Sequence, residues 1–221
     1  GTLENYFDAK TILFKDRVKP EGVCILNRDD PKYKELVPLC AARVVTYGIE
    51  NEADYRAIHI EMTNEASHFD LIHNGQSYPV MTNLVATYNI YNLLAVIAAL
   101  HETGIDLDKI IASCKAIPQV QGRLEQIDEG QDFNVIVDFA HTPDGMEKVM
   151  EFGRSITKEG GNVIAVFGSA GKRDAAKRKV FGELADKYCD FVILTEDDPR
   201  DEDPKEIADQ IKEGIKETTN I

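Results

Sequence analysis

The sequence predicts an α/β protein in two parts, the second of which is a parallel sheet with flanking helices. Downstream of Pro118, short apolar runs alternate with amphipathic runs, and such a strand–helix–strand rhythm is typical of parallel sheets. Upstream of Pro118, apolar strands and short alternating segments are mixed with helices. Hydrophobic residues make up 43% and charged residues 29% of the chain, which is the composition of an ordinary globular protein.

The first part opens with a predicted helix, because apolar residues recur at near-helical spacing in LENYFDAKTILFKDR. The runs GVCILN and RVVTYG predict buried strands, and RDDPKYKELV between them predicts a helix that starts at Pro31. The segments AIHIEMT, SHFDLIHNG and QSYPVMT predict antiparallel strands joined by turns. Two helices follow, one in TYNIYNLLAVIAALHETG that ends at Gly104 and one in IDLDKIIASCKAI that stops before Pro118.

A domain boundary is predicted near residues 118 to 122, which gives parts of 1–119 and 120–221. In the second part the predicted strands are FNVIVDFAH, GNVIAVFGSAG and DFVILTEDDP, and the predicted helices are PDGMEKVMEFGRSI, DAAKRKVFGELADKYC and DPKEIADQIKEGI. Because a helix connects each strand to the next, we expect the strands to be parallel.

Charge and cysteine content restrict the class of partner and the compartment. The formal net charge is −14 and the pI is near 4.8, which argues against nucleic acids and membrane surfaces as partners, because both attract basic faces. None of the four cysteines stands in a C-x-x-C pair, so we expect reduced, mostly buried thiols. No apolar run approaches the roughly 20 residues of a membrane span, and the first residues are unlike a signal peptide. We therefore expect a cytoplasmic protein. A monomer is the expected oligomeric state.

Polar residues follow each predicted strand of the second part. They are Asp138 and His141 in VDFAHTPD, Arg173 in FGSAGKRD, and Asp197, Asp198 and Arg200 in TEDDPR. Because ligands of open parallel sheets bind at the carboxyl ends of the strands, we expect these side chains to face a common cleft. The alternatives are a helix cap at Asp138, a solvated basic turn at Arg173 and an acidic surface loop in TEDDPR.

The residue types at these strand ends fit an anionic or zwitterionic ligand. GSAGKRD lacks the spacing of a Walker A loop, but its small residues leave backbone N–H groups accessible at a helix N-terminus, which suits an anion. Two carboxylates beside Arg200 match a ligand that carries ammonium and carboxylate groups.

Asn89 and Asn92 share one face of the long helix, where they bond loop backbone or read the edge of a base. Arg123 in QGRLE is either a hinge or salt-bridge residue or a ligand contact.

The sequence resembles the Mur ligases in the stretches LENYFDAKTILF, TYNIYNLLAVIAAL, QGRLE, VDFAHTPDGMEKVM, FGSAGKRDAAKR and TEDDPRDEDP. VDFAHTPD together with DDPR resembles more narrowly the branch that adds the third peptide residue in peptidoglycan synthesis. The resemblance implies that residues 1–119 are the later part of a central ATPase domain and residues 120–221 most of a Rossmann-like C-terminal domain. It also implies an ATP-dependent ligase that adds meso-diaminopimelate or L-lysine to UDP-N-acetylmuramoyl-L-alanyl-D-glutamate through an acyl phosphate.

The resemblance assigns roles to individual residues. Lys10 matches a catalytic lysine that becomes a carbamate and helps hold Mg²⁺, and His141 lies in a catalytic motif near the phosphates. The implied ATP contacts are Asn89 and Asn92 near the adenine, and Arg123 and Asp138, the latter at the ribose. The implied pocket for the incoming diamino acid comprises Arg173, Asp197, Asp198 and Arg200. ATP and Mg²⁺ are therefore the expected cofactors, and the UDP-linked muramyl dipeptide and a diamino acid are the expected partners.

Some features depart from the family pattern. Ala86 stands where the family has glycine, and DDPR replaces DNPR at Asp198. The extra carboxylate favours an ammonium group while Arg200 favours the distal carboxylate of diaminopimelate, so diaminopimelate and lysine both stay open. The family's Walker A loop and its Gly-Lys-Gly-His-Glu run are absent, so we expect a fragment that is inactive alone. A ligase that adds glutamate to folate, and a non-catalytic module that binds nucleotide or amino acid, remain alternatives.

Overall fold

A computed structural model describes residues 2–216 and divides the chain into two compact units. Unit 1 ends at Pro118 and unit 2 begins at Gln119. Each unit has its own apolar core, built from residues of that unit alone.

Unit 1 begins with a helix, continues with a five-stranded sheet and ends with two helices. Its strands are β1 (Val23–Asn27), β2 (Arg43–Gly48), β3 (Tyr55–Met62), β4 (Ser67–His73) and β5 (Gln76–Thr82). Its helices are α1 (Leu3–Ile12), which runs into a π-helical turn (Leu13–Arg17), α2 (Tyr33–Leu36), followed by a 3₁₀ turn (Val37–Leu39), α3 (Thr87–Glu102) and α4 (Leu107–Cys114).

The sheet of unit 1 has the strand order β1-β2-β3-β4-β5. β1 pairs parallel with β2 and β2 pairs parallel with β3, whereas β3 pairs antiparallel with β4 and β4 pairs antiparallel with β5. The antiparallel hairpins predicted from the alternating segments are confirmed. Alternate residues of β4 are buried, as expected for a strand with one face on the core.

α3 covers one face of this sheet. Its apolar residues recur at the spacing of one helical face, and the buried ones are Ile90, Leu93, Leu94, Ile97 and Ala98. The helix ends where Gly104 takes a φ of 93°, a left-handed conformation that glycine adopts without a Cβ clash. The predicted end of this helix is therefore confirmed.

Unit 2 contains two small sheets and three helices in the described part of the chain. Its strands are β6 (Glu125–Gln126), β7 (Ile136–Val137), β8 (Ile164–Phe167) and β9 (Phe191–Leu194), and its helices are α5 (Pro143–Ile156), α6 (Ala176–Tyr188) and α7 (Pro204–Lys212). β8 and β9 are parallel, with Phe167 opposite Leu194. The core beside them is formed by α5, α6 and α7, whose buried members include Met150, Phe181 and Ile207.

The predicted strand FNVIVDFAH is shorter than the sequence indicates and does not extend the β8–β9 sheet within residues 2–216. Only Ile136 and Val137 form a ladder, and they pair antiparallel with β6. The Asp138 carboxylate accepts the Ala140 N–H at 2.7 Å, so the chain turns there instead of remaining extended. The expectation that three parallel strands lie side by side is therefore wrong for β7. The α/β class with parallel strand pairs in both units is confirmed.

All four cysteines are free, and three of them, Cys24, Cys114 and Cys189, are buried while Cys40 is half-buried, so the expectation of mostly buried cysteines is confirmed. Burial raises the pKa of the Cys189 thiol to about 11, so this group is a poor nucleophile. Of the helices in the described part of the chain, none combines the length and the apolar character needed to cross a bilayer.

Candidate functional site

The loops after β8 and β9 leave the same edge of their sheet. Because the two strands are parallel and in register, their carboxyl ends coincide, and the Thr195 N–H donates to Phe167 O at 3.0 Å. The loop after β8 carries GSAGKRD and the loop after β9 carries TEDDPR. Two of the three predicted strand ends are therefore brought together.

Glycines allow these two loops to pack directly against each other. A Cβ on Gly171 would lie 1.9 Å from the carbonyl oxygen of Pro199, and a Cβ on Gly168 would lie 2.3 Å from that of Thr195. The Gly171 N–H donates to the carbonyl oxygen of Asp198 at 3.0 Å. Any larger residue at these positions would push the loops apart.

The predicted amino-acid contacts stand on the exposed side of these loops. Arg173, Asp197, Asp198 and Arg200 are all exposed. Arg200 Nε lies 3.4 Å from Asp198 Oδ2, and the Arg173 guanidinium makes no hydrogen bond or ion pair within residues 2–216. Guanidinium groups beside exposed carboxylates can bind the carboxylate and ammonium groups of one small zwitterion.

Strained backbone holds part of this arrangement. Lys172, Asp198 and Arg200 have φ values of 51°, 42° and 54°, in the left-handed region that non-glycine residues seldom adopt. Such residues persist only where surrounding contacts fix them, and they cluster at functional sites. The strain therefore favours a binding role for these loops over a freely solvated surface.

Asp138 and Arg123 come together at the end of β7. Asp138 Oδ2 accepts the Leu124 N–H at 2.8 Å, which ties this strand end to the segment after Arg123. The Arg123 guanidinium lies 4.9 Å from the centre of the Phe139 ring, a cation–π distance. Both Asp138 oxygens accept backbone N–H groups, so the carboxylate has a structural role whether or not it also binds a ligand.

His141 is exposed and faces Phe139. Its Nδ1 lies 3.1 Å from Phe139 O, and the two rings meet edge to face with centroids 5.1 Å apart. Its carbonyl oxygen accepts a hydrogen bond from Lys177 Nζ at 2.8 Å, so the first turn of α6 contacts this strand end. The third strand end is thus linked to α6, although β7 does not pair with β8.

Three predicted residues lie in unit 1. Asn89 is half-buried and donates from Nδ2 to Val85 O at 2.8 Å, while the exposed Asn92 reaches Asn89 Oδ1 at 3.4 Å. They share one face of α3, as the spacing predicts. Lys10 is exposed on α1, and its Nζ lies 5.2 Å from the centre of the Tyr6 ring.

A magnesium site is not formed by the described residues themselves. Residues 2–216 contain no group of three or more histidine, cysteine or acidic side chains arranged to hold a metal ion. After carbamylation, Lys10 alone would supply the oxygens of a single carbamate group, and these are fewer ligands than Mg²⁺ requires.

Arg178 and Glu202 are candidate site residues that the sequence analysis did not assign. Arg178 is 1% exposed, yet its guanidinium reaches the loop after β8 and the loop after β9. The sequence does indicate that Arg178 is buried, because this residue occupies the same helical face as the buried Phe181, Gly182 and Ala185.

Comparison with known proteins gives two family matches that together span most of the chain. Residues 1–100 match the Mur ligase middle domain, and residues 122–221 match the glutamate ligase domain of Mur ligases. The UDP-N-acetylmuramoyl-L-alanyl-D-glutamate--2,6-diaminopimelate ligase 1 of Clostridium acetobutylicum is 41% identical over 218 residues, which are 97% of this chain and 44% of that protein. The chain thus spans less than half the length of the curated relatives that it matches.

Solved structures give the same picture of the fold. A structure of a UDP-N-acetylmuramoyl-L-alanyl-D-glutamate--2,6-diaminopimelate ligase matches 100% of this chain with 45% of its own, at 30% identity and a TM-score of 0.64. The MurF ligase of Thermotoga maritima, solved in complex with ADP, matches 90% of this chain with 46% of its own, at 19% identity and a TM-score of 0.73.

Proposed function

Because this chain belongs to the Mur ligase family, we propose that it supplies the amino-acid pocket and nucleotide contacts of a ligase that adds meso-diaminopimelate to UDP-N-acetylmuramoyl-L-alanyl-D-glutamate. The observation that carries the proposal is the packed pair of loops after β8 and β9, which presents Arg173, Asp198 and Arg200. Diaminopimelate ligases among the relatives, at 36–41% identity, support diaminopimelate over lysine as the substrate.

The proposed amino-acid pocket recognises a zwitterion that carries charged groups at both of its ends. Arg200 uses Nε toward Asp198, which leaves its terminal nitrogens for a carboxylate, and the guanidinium of Arg173 offers a second fork. Asp197 and Asp198 attract an ammonium group. Diaminopimelate carries two carboxylates and two amino groups, whereas lysine lacks the distal carboxylate, so a pocket with two arginines favours diaminopimelate.

The nucleotide contacts are assigned to Asn89, Asn92, Arg123 and Asp138. Asn92 is exposed and can read the polar edge of adenine, while Asn89 donates to Val85 O and its Oδ1 accepts from Asn92 Nδ2. Arg123 and Asp138 are fixed relative to each other at the β7 end. The ADP complex of a MurF ligase supports ATP as the cofactor.

The reaction joins the D-glutamate carboxylate to an amine. The carboxylate oxygen attacks the γ-phosphorus of ATP and ADP leaves, which gives an acyl phosphate. The amine of diaminopimelate then attacks the acyl carbon, the C–O bond to the phosphate breaks, and phosphate leaves while the nitrogen loses one proton to give the amide. The loops place the amine beside the acyl carbon, and proximity of this kind supplies much of the rate. His141 is proposed to lie near the phosphates, and carbamylated Lys10 to contribute an oxygen ligand to Mg²⁺.

We place this activity in the cytoplasm, in a monomer that acts in cell wall biogenesis and thereby in cell shape and division. No nucleic acid or membrane partner is proposed, since the net charge of −14 disfavours both.

The test is amino-acid-dependent phosphate release by the complete gene product that contains this sequence. We expect release with meso-diaminopimelate and little with L-lysine. Arg200→Ala should raise the KM for diaminopimelate by about 100-fold, because a charge-assisted fork to a carboxylate is lost. Lys179→Ala removes an exposed charge from α6 and is the control, with an unchanged KM. Phosphate release with L-lysine and not with diaminopimelate would contradict the proposal. An unchanged KM for diaminopimelate in Arg200→Ala would also contradict it.

A further inference from the structure

Unit 2 contains a buried arginine outside the proposed contacts. Arg178 in α6 is 1% exposed, and charged side chains are seldom buried so completely unless they are paired. Its Nη1 donates to Glu202 Oε2 at 2.7 Å and to Gln210 Oε1 at 2.8 Å, and its Nη2 donates to Ala170 O at 3.3 Å. One guanidinium therefore contacts the loop after β8, the end of the loop after β9, and α7.

Glu202 extends this contact to the residue beside Arg173. Its second carboxylate oxygen accepts the backbone N–H of Lys172, and the Lys172 ammonium pairs with Asp201. The guanidinium of Arg178, followed by the Lys172 N–H, lowers the pKa of Glu202, which keeps the carboxylate charged. The chain of contacts from Arg178 through Glu202 to Lys172 thus spans both loops.

The burial of Arg178 is not well explained by stability alone. Its Nε is buried without a hydrogen-bond partner in residues 2–216, and a buried charge with an unpaired donor is unfavourable. Well-packed apolar residues often replace buried ion pairs without loss of stability. Meanwhile the loops it joins hold Lys172, Asp198 and Arg200 at positive φ, and such conformations require neighbours that fix them.

We propose that Arg178, through its ion pair with Glu202, is a positioning residue that sets Arg173 relative to Asp198 and Arg200. This inference rests on the proposed function, because it makes the ion pair a determinant of diamino-acid affinity. Arg178 does not touch the substrate; it fixes the two loops that do.

The kinetic test compares Arg178→Met and Glu202→Gln with the unaltered complete gene product. Each should raise the KM for diaminopimelate about tenfold or more and leave the KM for ATP within about twofold, since small misplacement of binding groups has large effects. Equal increases in both KM values, or no increase for diaminopimelate, would overturn the inference. If Arg178→Met does not fold, Glu202→Gln, which preserves shape, decides alone.

The matched control is Arg154→Met in the same unit. Arg154 also pairs with a carboxylate, Asp190, at 2.7 Å, and donates to Tyr188 O. Asp190 precedes β9, so this pair lies at the opposite end of the strand from the loops. Arg154→Met should lower the melting temperature without a selective change in the KM for diaminopimelate. If Arg154→Met raised the KM for diaminopimelate selectively and as much as Arg178→Met does, the loss of any ion pair in unit 2 would have this effect. That result would overturn the inference.

Amide hydrogen exchange of the 221-residue chain gives a readout that does not depend on the substrate. In Arg178→Met and Glu202→Gln, residues 169–174 and 197–202 should exchange about tenfold faster while α5 is unchanged. Unchanged exchange in both loops would overturn the inference. Failure of the unaltered gene product to use diaminopimelate would instead count against the proposed function.

Discussion

Ala86 holds a backbone conformation that alanine rarely adopts. Its φ is 71° and its ψ is 146° at the residue that caps α3, and its side chain is 4% exposed. This region of φ and ψ is almost exclusive to glycine, and a non-glycine residue there is strained by about 1–3 kcal/mol. A glycine at this position would adopt the same angles without a Cβ clash, so Ala86 is a strained residue.

We expect Ala86→Gly to stabilise the protein by about 1 kcal/mol, because relief of strain exceeds the added flexibility of the unfolded chain. The free energy of unfolding in urea measures this change. Ala98→Gly is the matched control, since Ala98 is fully buried inside the same helix, and it should destabilise by about 1 kcal/mol or more. Equal destabilisation by both substitutions would contradict the assignment of strain.

Asp29 fixes the loop that follows β2. Its carboxylate accepts the backbone N–H groups of Ile49, Glu50 and Asn51 and the hydroxyl of Tyr91. Partial burial alone would raise the pKa of Asp29, but the hydrogen bonds from the three backbone N–H groups and from the Asn51 side chain outweigh it and lower the pKa from 3.8 to about 2. The charged carboxylate is therefore part of the folded structure.

The stability of the fold should depend on pH through Asp29. Its pKa is lower in the folded state, so its contribution is complete above about pH 4 and is lost as the pH falls toward 2. We expect about 1 kcal/mol, because partial exposure screens the interaction. Asp29→Asn should reduce the fall in unfolding free energy between pH 4 and pH 2. The exposed Glu61→Gln is the control, and an equal effect there would argue against Asp29.

Single residues were the hardest part of the site to predict. Asn89 and Asn92 share a helical face as their spacing indicates, because helix geometry is local. The burial of Arg178 depends on Glu202 and Gln210, which are distant in sequence. Only the apolar stripe of α6 indicates this burial from the sequence. The sequence allows a ribose contact or a cap at Asp138, and the structure adds a hydrogen bond that its carboxylate accepts from the Leu124 N–H.

Among the elements, α6 and α7 meet at glycines. A Cβ on Gly182 would lie 2.0 Å from Ile211 O, and a Cβ on Gly214 would lie 2.1 Å from Lys179 O. Close approach of two backbones leaves no room for a side chain. Because Arg178 and Gln210 lie on these two helices, their contact depends on the same approach.

Gly182→Ala should destabilise unit 2 by about 2 kcal/mol, because the added methyl group separates the helices. Gly153→Ala in α5 is the control, since its Cβ would meet only Val163 Cγ1 at 3.9 Å. Alanine is the better helix former, so Gly153→Ala should be neutral or stabilise by up to about 1 kcal/mol. Thermal unfolding followed by circular dichroism would distinguish the two, and a tolerated Gly182→Ala would contradict the close approach.

The sequence predicted most elements but misjudged the lengths of two. α2 was expected from Pro31 to Val37, yet it covers only Tyr33–Leu36, because Pro38 cannot continue the hydrogen-bond pattern and a 3₁₀ turn follows. β7 was expected to be long because its residues are apolar, yet Phe133 and Phe139 are exposed. Local composition does not reveal where the pairing partner of a strand ends.

At the scale of the whole molecule, two cores imply two folding units. We propose a domain boundary between Pro118 and Gln119, close to the boundary expected from composition. Chains 1–118 and 119–221 should each unfold cooperatively when expressed separately, because each retains its own core. Circular dichroism and guanidinium titration would measure this. Chains cut instead at residue 98, inside α3, are the control and should not unfold cooperatively.

The 221-residue chain by itself should not turn over substrate. It lacks the G-x-x-x-x-G-K-[ST] spacing that cradles phosphates, and residues 2–216 offer no acidic cluster arranged for a metal ion. Its exposed loops still carry Arg173 and Arg200, which are the groups proposed to bind the amino acid. We therefore expect no amino-acid-dependent phosphate release from this chain with ATP, Mg²⁺, the muramyl dipeptide and diaminopimelate.

The decisive comparison uses the complete gene product under the same conditions, with reactions that omit either diaminopimelate or the dipeptide to correct for contaminating phosphatase. We expect phosphate release that requires both substrates with the complete product and not with the 221-residue chain, because the acyl group is then activated by residues that this chain does not supply. Turnover by the chain alone would contradict this expectation, and the basic turn around Lys172 and Lys177 would then be the first candidate for the phosphate contacts. In that case Lys177→Ala should abolish it, since Lys177 Nζ already reaches the strand end at His141.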